Sequence, residues 1–150
     1  MKAVTALAAV ALFTLLSGLA QAQEVTWSKD IKAIFDKNCL ACHDANMPEY
    51  ARFKKEKDVW MKKGMAMRMD TYSHLVSFVG WPNAGALMRR LDDGSGSKDG
   101  KPGNMYAYLG ANEEERQKNL QIFKNWVGNW NLKRWPDLTK EEVSGLKVKY

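Results

Sequence analysis

Both cysteines of the chain fall within five residues, Cys39-Leu40-Ala41-Cys42-His43, so neither has another thiol to pair with. A fold that depends on a long-range disulfide is excluded, and whatever the pair does, it does locally. The spacing C-x-x-C-H is that of covalent haem attachment. Each thiol adds across one haem vinyl group, two intervening residues set the sulfurs to match the two vinyls, and the adjacent imidazole lies under the iron as its proximal ligand. Cys39 and Cys42 are the expected attachment points and His43 the expected iron ligand. No second C-x-x-C-H occurs, so one haem c is expected.

Two other chemistries use close cysteine pairs. A thioredoxin-like C-x-x-C wants a βαβ pattern around it, and none is visible. A zinc site needs further donors. His74 is the sole other histidine, and the second C-x-x-C of a zinc ribbon is missing.

The N-terminus agrees with covalent haem, which is attached outside the cytoplasm. Basic Lys2 precedes an apolar run from Ala3 to Leu16, then Ser17, Gly18 and the small-residue pattern Ala20-Gln21-Ala22. Charge, apolar core and small residues at the cut, in that order, form a secretory signal peptide over residues 1–22. The run is shorter than the roughly 20 residues that a spanning helix needs, so cleavage after Ala22 is expected rather than a retained anchor. The mature chain then starts at Gln23 and has no transmembrane anchor, and its expected location is the periplasm. Loss of Lys2 leaves 22 Lys and Arg against 17 Asp and Glu, a net +5. That balance favours partners with acidic docking surfaces but is too weak to imply nucleic acid.

Past the cut, residues 23–150 are long enough for one domain with one core. The pattern is helical, with no convincing strand alternation. Trp27, Ile31, Ile34 and Phe35 recur at helical spacing after Ser28, an expected N-cap, and this first helix runs into the cysteine motif. A Lys- and Met-rich stretch, about 44–67, carries an expected helix around Arg52–Lys63. Its mixed charges (Lys54, Lys55, Glu56, Lys57, Asp58) read as a solvated face. A short helix is expected after Thr71, with Leu75, Val76 and Phe78, and another after Pro82-Asn83, with Leu87, Met88 and Leu91. Asp92 to Asn104 is rich in Gly, Ser, Asp and Pro and reads as a flexible surface loop. The clearest helix follows, with Asn112 and Glu115 as a capping-box-like start, Leu120, Phe123 and Val127 on one face, Trp126 beside it and Gly128 as terminator. A Trp-rich tail follows, and Thr139-x-x-Glu142 opens a last short helix.

These pieces, in this order, resemble class I cytochromes c, and more closely the planctomycete-type cytochrome c domain. The matching stretches are Ile31 to His43, Met69-Asp70-Thr71-Tyr72, Trp81 to Leu91, Asn104-Met105, and Glu113 to Val127 with Trp126. The resemblance covers about residues 31–128. It implies an all-α fold with helices wrapped around one haem, and a one-electron carrier rather than an enzyme. Two departures from the family pattern stand out. The 44–67 segment looks like an insertion, and Met105 is followed by Tyr106 where the family usually has proline.

The sixth iron ligand decides what such a protein does. A methionine thioether fills the coordination sphere and favours ferrous iron, which suits electron transfer, whereas an open position admits small molecules. Among eight methionines, Met105 is the expected ligand, because a glycine-rich loop wraps over a haem face and a long helix anchors its exit. His74, Met47 and the cluster Met65, Met67 and Met69 are the alternatives, with Met69 a core position by the family likeness. By likeness to class I folds, Phe35, Phe123 and Trp126 are expected to form the aromatic contact between first and last helices. Arg89 or Arg90 suits a haem propionate, or equally the negative end of its own helix. Two further functions stay open. One is an electron-relay subunit of a larger redox enzyme, docked through the 44–67 segment and the Trp-rich tail. The other is a haem enzyme or gas sensor with an open iron, against which stands the absence of an acid visibly paired with His74.

Overall fold

The computed structural model describes residues 24–150, so the expected signal peptide lies outside the described residues. The first helix is capped two residues earlier than the sequence suggests. Thr26, not Ser28, accepts the Lys29 backbone N–H at 3.3 Å, and the Thr26 N–H in turn donates to Asp30 Oδ2 at 2.8 Å. The reason is long-range. The Trp27 N–H donates to the carbonyl of Lys149 at 2.8 Å, so the chain is already pinned when it enters the helix, and the Ser28 hydroxyl donates instead to the Tyr150 carbonyl at 3.2 Å. A wide π-turn over Trp27–Ile31 leads into α1, Lys32–Asn38, and α2, Leu40–His43, follows directly.

Next come two short helices, α3 (Tyr50–Lys55) and α4 (Lys57–Lys62), then α5 (Tyr72–Val76) and α6 (Ala86–Leu91). The single helix expected around 52–63 is thus two, broken at Glu56. Its carboxylate accepts both the Arg52 Nε–H at 3.1 Å and the Trp60 Nε1–H at 3.0 Å across the break. The helix expected after Thr71 starts there, and Thr71 caps it by accepting the His74 N–H. A 3₁₀ turn, Tyr106–Leu109, precedes α7, Glu113–Val127. Asn112 caps α7 by accepting the Glu115 N–H at 2.9 Å, while the Glu115 carboxylate reaches back to the Ala111 N–H at 2.8 Å. Three acidic residues in the first turn of α7 also suit its positive end. The last helix, α8 (Lys140–Ser144), has the full reciprocal box between Thr139 and Glu142. Among the described residues the sole β pairing is an isolated bridge, Gly128 with Leu146. The all-α class is the one found. No helix among them is long and apolar enough to cross a membrane.

One apolar cluster joins these helices. Ile31, Leu75, Leu120, Phe123, Trp126 and Val127 are essentially without exposure. Truncating a large side chain there, such as Trp126 to alanine, costs about 3–5 kcal/mol. The aromatic link between first and last helices runs through Trp27, whose ring lies 6.4 Å from Trp126, itself 6.4 Å from Phe123. Phe35, expected in that role, meets Trp27 at 6.1 Å and turns its other side to the His43 ring at 6.5 Å. It therefore couples the core to the cysteine motif.

The tail does not hang free. Residues 145–150 fold back over the end of α7: the Val148 N–H donates to the Trp126 carbonyl at 2.9 Å, Trp126 Nε1–H to the Lys149 carbonyl at 2.7 Å, and the Tyr72 hydroxyl to the Val148 carbonyl at 2.6 Å. Trp130 also faces inward, and of the tail tryptophans Trp135 alone is largely exposed. Residues 145–150 thus cover one end of the core, while Trp135 and Tyr150 stay exposed.

Candidate haem-binding site

α1 delivers Cys39 at its C-terminal end, where the Cys39 N–H still closes a helical bond to Phe35 at 2.8 Å. The four-residue α2 then turns Cys42 and His43 back, with their N–H groups both donating to the Cys39 carbonyl at 3.1 Å. Neither sulfur is in a disulfide; Cys39 is partly buried and Cys42 exposed. Burial, with Cys42 nearby, pushes the Cys39 thiol up to about 12. A redox or zinc cysteine needs the opposite, a thiolate favoured at neutral pH. Addition of a neutral thiol across a vinyl group makes no such demand. Among the described residues, no group of three His, Cys, Asp or Glu side chains gathers to hold a metal ion.

His43 is oriented by the backbone. Its Nδ1–H donates to the Met67 carbonyl at 2.7 Å, which leaves the Nε2 lone pair free to bind iron. Burial lowers the pKa of His43 below the ordinary histidine value, outweighing that hydrogen bond, so the ring stays neutral as a ligand must. The strand-like run 66–69 is strapped to the motif on both sides of this contact, Ala66 N–H to the Cys42 carbonyl at 3.2 Å and Met69 N–H to the His43 carbonyl at 3.0 Å. Met67 thus meets His43 through its backbone, and Met69 is buried in the core as expected.

Met105 stands at the end of a loop that is far from flexible. Asp92, almost fully buried, accepts the Gly94 and Gly96 N–H groups on Oδ1 at 2.9 and 3.0 Å, and the Trp130 Nε1–H on Oδ2 at 3.0 Å. The Gly103 N–H donates to the Asp92 carbonyl at 2.8 Å, and the Met105 N–H to the Arg90 carbonyl at 2.9 Å. Gly103 is required here by contact: a Cβ would sit 2.3 Å from the Arg90 carbonyl oxygen. On the other side of Met105, the Tyr106 hydroxyl is buried between Glu113, to which it donates, and Gln117, whose Nε2–H reaches it at 2.8 Å. Burial, reinforced by the Glu113 carboxylate, pushes this phenol up to about 12, so it remains a donor. Asn119 and Arg116 then hold the carbonyls of Leu109 and Gly110 at 2.6 and 3.1 Å. The segment that presents Met105 is therefore fixed at both ends, and Tyr106, where the family pattern has proline, is what fixes it to α7. Met105 itself is partly buried and packs on the same apolar cluster as Cys39.

The alternatives fare differently. His74 has both ring nitrogens in polar company, Nδ1 with the Thr71 hydroxyl at 2.7 Å and Nε2 with Glu49 at 3.2 Å, and Asp70 stands 3.6 Å from Nδ1. It does have acidic partners, contrary to the sequence reading, because Glu49 comes from a distant stretch of chain. Met47 is buried. Arg89 is occupied with the carbonyls of Leu132 and Lys133 at 2.9 and 3.0 Å, and Arg90 donates to Asn104 Oδ1 at 2.8 Å. Together with Tyr50, Ala86 and Arg134 these two arginines line a cleft of about 380 Å³.

Sequence reasoning missed Asp92, Tyr106 and the Met67 carbonyl. The departure at Tyr106 was a visible signal. A backbone carbonyl leaves none.

A family model described as PccH cytochrome c matches residues 26–150. The chain belongs to the PccH cytochrome c family. A solved structure, described as the monoheme cytochrome PccH from Geobacter sulfurreducens, is 63% identical to it over 85% of this chain and 99% of that one, with a TM-score of 0.80. No curated protein sequence matches significantly. The expected monohaem c-type cytochrome is thus the class found. Like the PccH family, this chain carries one covalently bound haem c and is a haem-based electron carrier, which requires redox partners to give and take the electron.

Proposed function

We propose that the protein is a periplasmic one-electron carrier whose haem is bound through thioethers from Cys39 and Cys42 and ligated by His43 and Met105. Haem, when bound, supplies a ferric/ferrous couple that takes up one electron without forming a bond to any partner. The chain supplies the rest. His43 is aimed by the Met67 carbonyl, the observation that carries this reading, and burial keeps its ring neutral. The clamped loop offers the Met105 thioether without reorganisation, so its preference for ferrous iron is available at little entropic cost. The neutral, partly buried Cys39 suits a sulfur that ends as a thioether.

Export rests on the signal-peptide pattern of residues 1–22, and the family match begins just beyond it, at residue 26. The positive balance of the chain from Gln23 onward supports partners with acidic docking surfaces. Residues 23–150 fold, in this reading, as one cytochrome c domain in which 44–67 is an insertion. Mass spectrometry of protein released from the periplasm tests attachment and export together. A chain starting at Gln23 plus one haem is expected, and the haem should stay with the polypeptide through acid–acetone. A haem-free mass, or pigment extracted by acid–acetone, overturns the assignment of the two cysteines.

A further inference from the structure

The positive charge of this protein is not spread evenly. Residues 51–63 hold six basic side chains against Glu56 and Asp58, a net +4, whereas the whole chain from Gln23 onward carries +5. Nearly all the surplus thus sits on the α3–α4 hairpin. Among the described residues, no carboxylate pairs with Lys54, Lys55, Lys57, Lys62 or Lys63, and the one ion pair inside the hairpin, Arg52 with Glu56, is exposed. Between the lysines the hairpin also shows water two apolar side chains, Val59 and Met61, each about half exposed at 52% and 54%. Three cation–aromatic contacts hold the patch in shape, Arg52 and Lys63 on the Trp60 ring at 5.4 and 5.1 Å and Lys54 on Tyr50 at 5.5 Å.

The base of the hairpin is the second half of the argument. Pro48 and Arg68 close it, with the Arg68 N–H donating to the Pro48 carbonyl at 2.9 Å. The next contacts inward are those to the haem motif: Ala66 on the Cys42 carbonyl, and Met67 on the His43 ring. On the other flank, Tyr50 packs edge-on against the core residue Phe78 at 5.0 Å, so the hairpin is anchored rather than a loose arm. A basic surface with a small apolar centre is thus joined directly to the cysteine motif and to His43, the residues that would hold the haem.

We infer that the α3–α4 hairpin is the docking surface for an acidic redox protein, which it draws to the cysteine side of the haem. This rests on the reading of acidic partners above and adds where they bind. Long-range attraction by the lysines speeds encounter, and Val59 and Met61 supply the desolvated centre once contact is made. A lipid surface would find the same charges, but it has no use for a patch coupled to the haem motif.

The test compares two charge-matched variants of the mature holoprotein, with absorption spectra checking that each folds around its haem. One carries K54E, K55E, K57E and K62E on the hairpin. The other carries K29E, K118E, K140E and K147E, all exposed and away from it. Reduction by flavodoxin hydroquinone, a small acidic flavoprotein, is followed by stopped flow from low to about 0.15 M salt, with neutral duroquinol as a reductant that feels no steering. The hairpin variant should lose about tenfold or more in rate at low salt, and most of its salt dependence, with duroquinol rates unchanged. The control variant should lose about twofold to threefold and keep its salt dependence. Equal losses in both variants overturn the assignment of the site while leaving acidic partners intact. A wild-type rate indifferent to salt overturns acidic partners, and the site with them. Hairpin variants that keep the flavodoxin rate but no longer sediment with phosphatidylglycerol vesicles would reassign the surface to a membrane.

Discussion

The segment about 44–67, expected to carry a helix, and the stretch from Asp92 that leads to Met105, expected to be a flexible loop, are organised in opposite ways. The first is tied down at its base, by Pro48 with Arg68 and by Met67 with His43, and spends its side chains on solvent. The second is tied down throughout by side chains buried within it or reaching into it: Asp92, Tyr106 and Asn119 each satisfy backbone or neighbouring groups away from water. The lesson is that low periodicity does not measure looseness. A loop that must hold one side chain against a cofactor buys its rigidity with hydrogen bonds, whereas a surface that must meet a partner keeps its charges hydrated.

Four substitutions sharpen that contrast. Asp92→Ala should cost most, because it strands the buried Gly94 N–H and removes the acceptor of the part-buried Gly96 N–H and Trp130 indole N–H. About 3 kcal/mol is expected, seen as a fall of about 10 °C in the thermal midpoint. An unchanged midpoint would mean that the loop is held by something other than this carboxylate. Tyr106→Phe removes one donor to Glu113 and one acceptor of Gln117, and a loss of about 1 kcal/mol is expected in denaturant titration.

Asp93→Asn reports through pH. The Ser95 hydroxyl, together with the Ser95 N–H and Gln117, holds the Asp93 carboxyl down at about 2, below its ordinary 3.8. A carboxylate depressed in this way stabilises the fold at pH above about 4, and that contribution disappears as pH falls through about 2. The stability gap between wild type and Asp93→Asn should therefore be constant above pH 4 and close towards pH 2; a gap that widens with acid would contradict the sign. On the hairpin, by contrast, Val59→Ser should shift stability by no more than about 0.5 kcal/mol, since the side chain is half exposed. A large loss there would show that the hairpin is part of the core after all.

What was legible from sequence was what is local. The haem motif needs five consecutive residues, and the caps at Asn112, Thr71 and Thr139 need four, so each could be read where it stands. The first helix's cap was misread by two positions because the deciding bond, Trp27 N–H to Lys149, joins residues far apart in sequence. Phe35, set against the last helix by likeness to class I folds, meets Trp27, and Trp27 makes the link to Trp126: such a likeness says which residues face inward but not whom they meet. Of the acids beside His74, Glu49 was hidden because it is 25 residues away in sequence and 3.2 Å away in space, whereas Asp70, four residues before it and 3.6 Å from its ring, was within local reach and was overlooked. Asp92 was read as loop punctuation, since an aspartate among glycines carries no mark of burial.

The central claim is that the clamped loop places the Met105 thioether on an iron whose other face is held by His43. The far-red spectrum of the oxidised protein, taken together with carbon monoxide binding to the reduced protein, tests it most directly. The wild type should show the weak charge-transfer band of methionine ligation and resist carbon monoxide. Met105→Ala should lose the band, bind carbon monoxide and fall in potential, while His74→Ala should change none of these. A wild-type protein that lacks the band and binds carbon monoxide readily would contradict the account and make Met105 an ordinary loop residue.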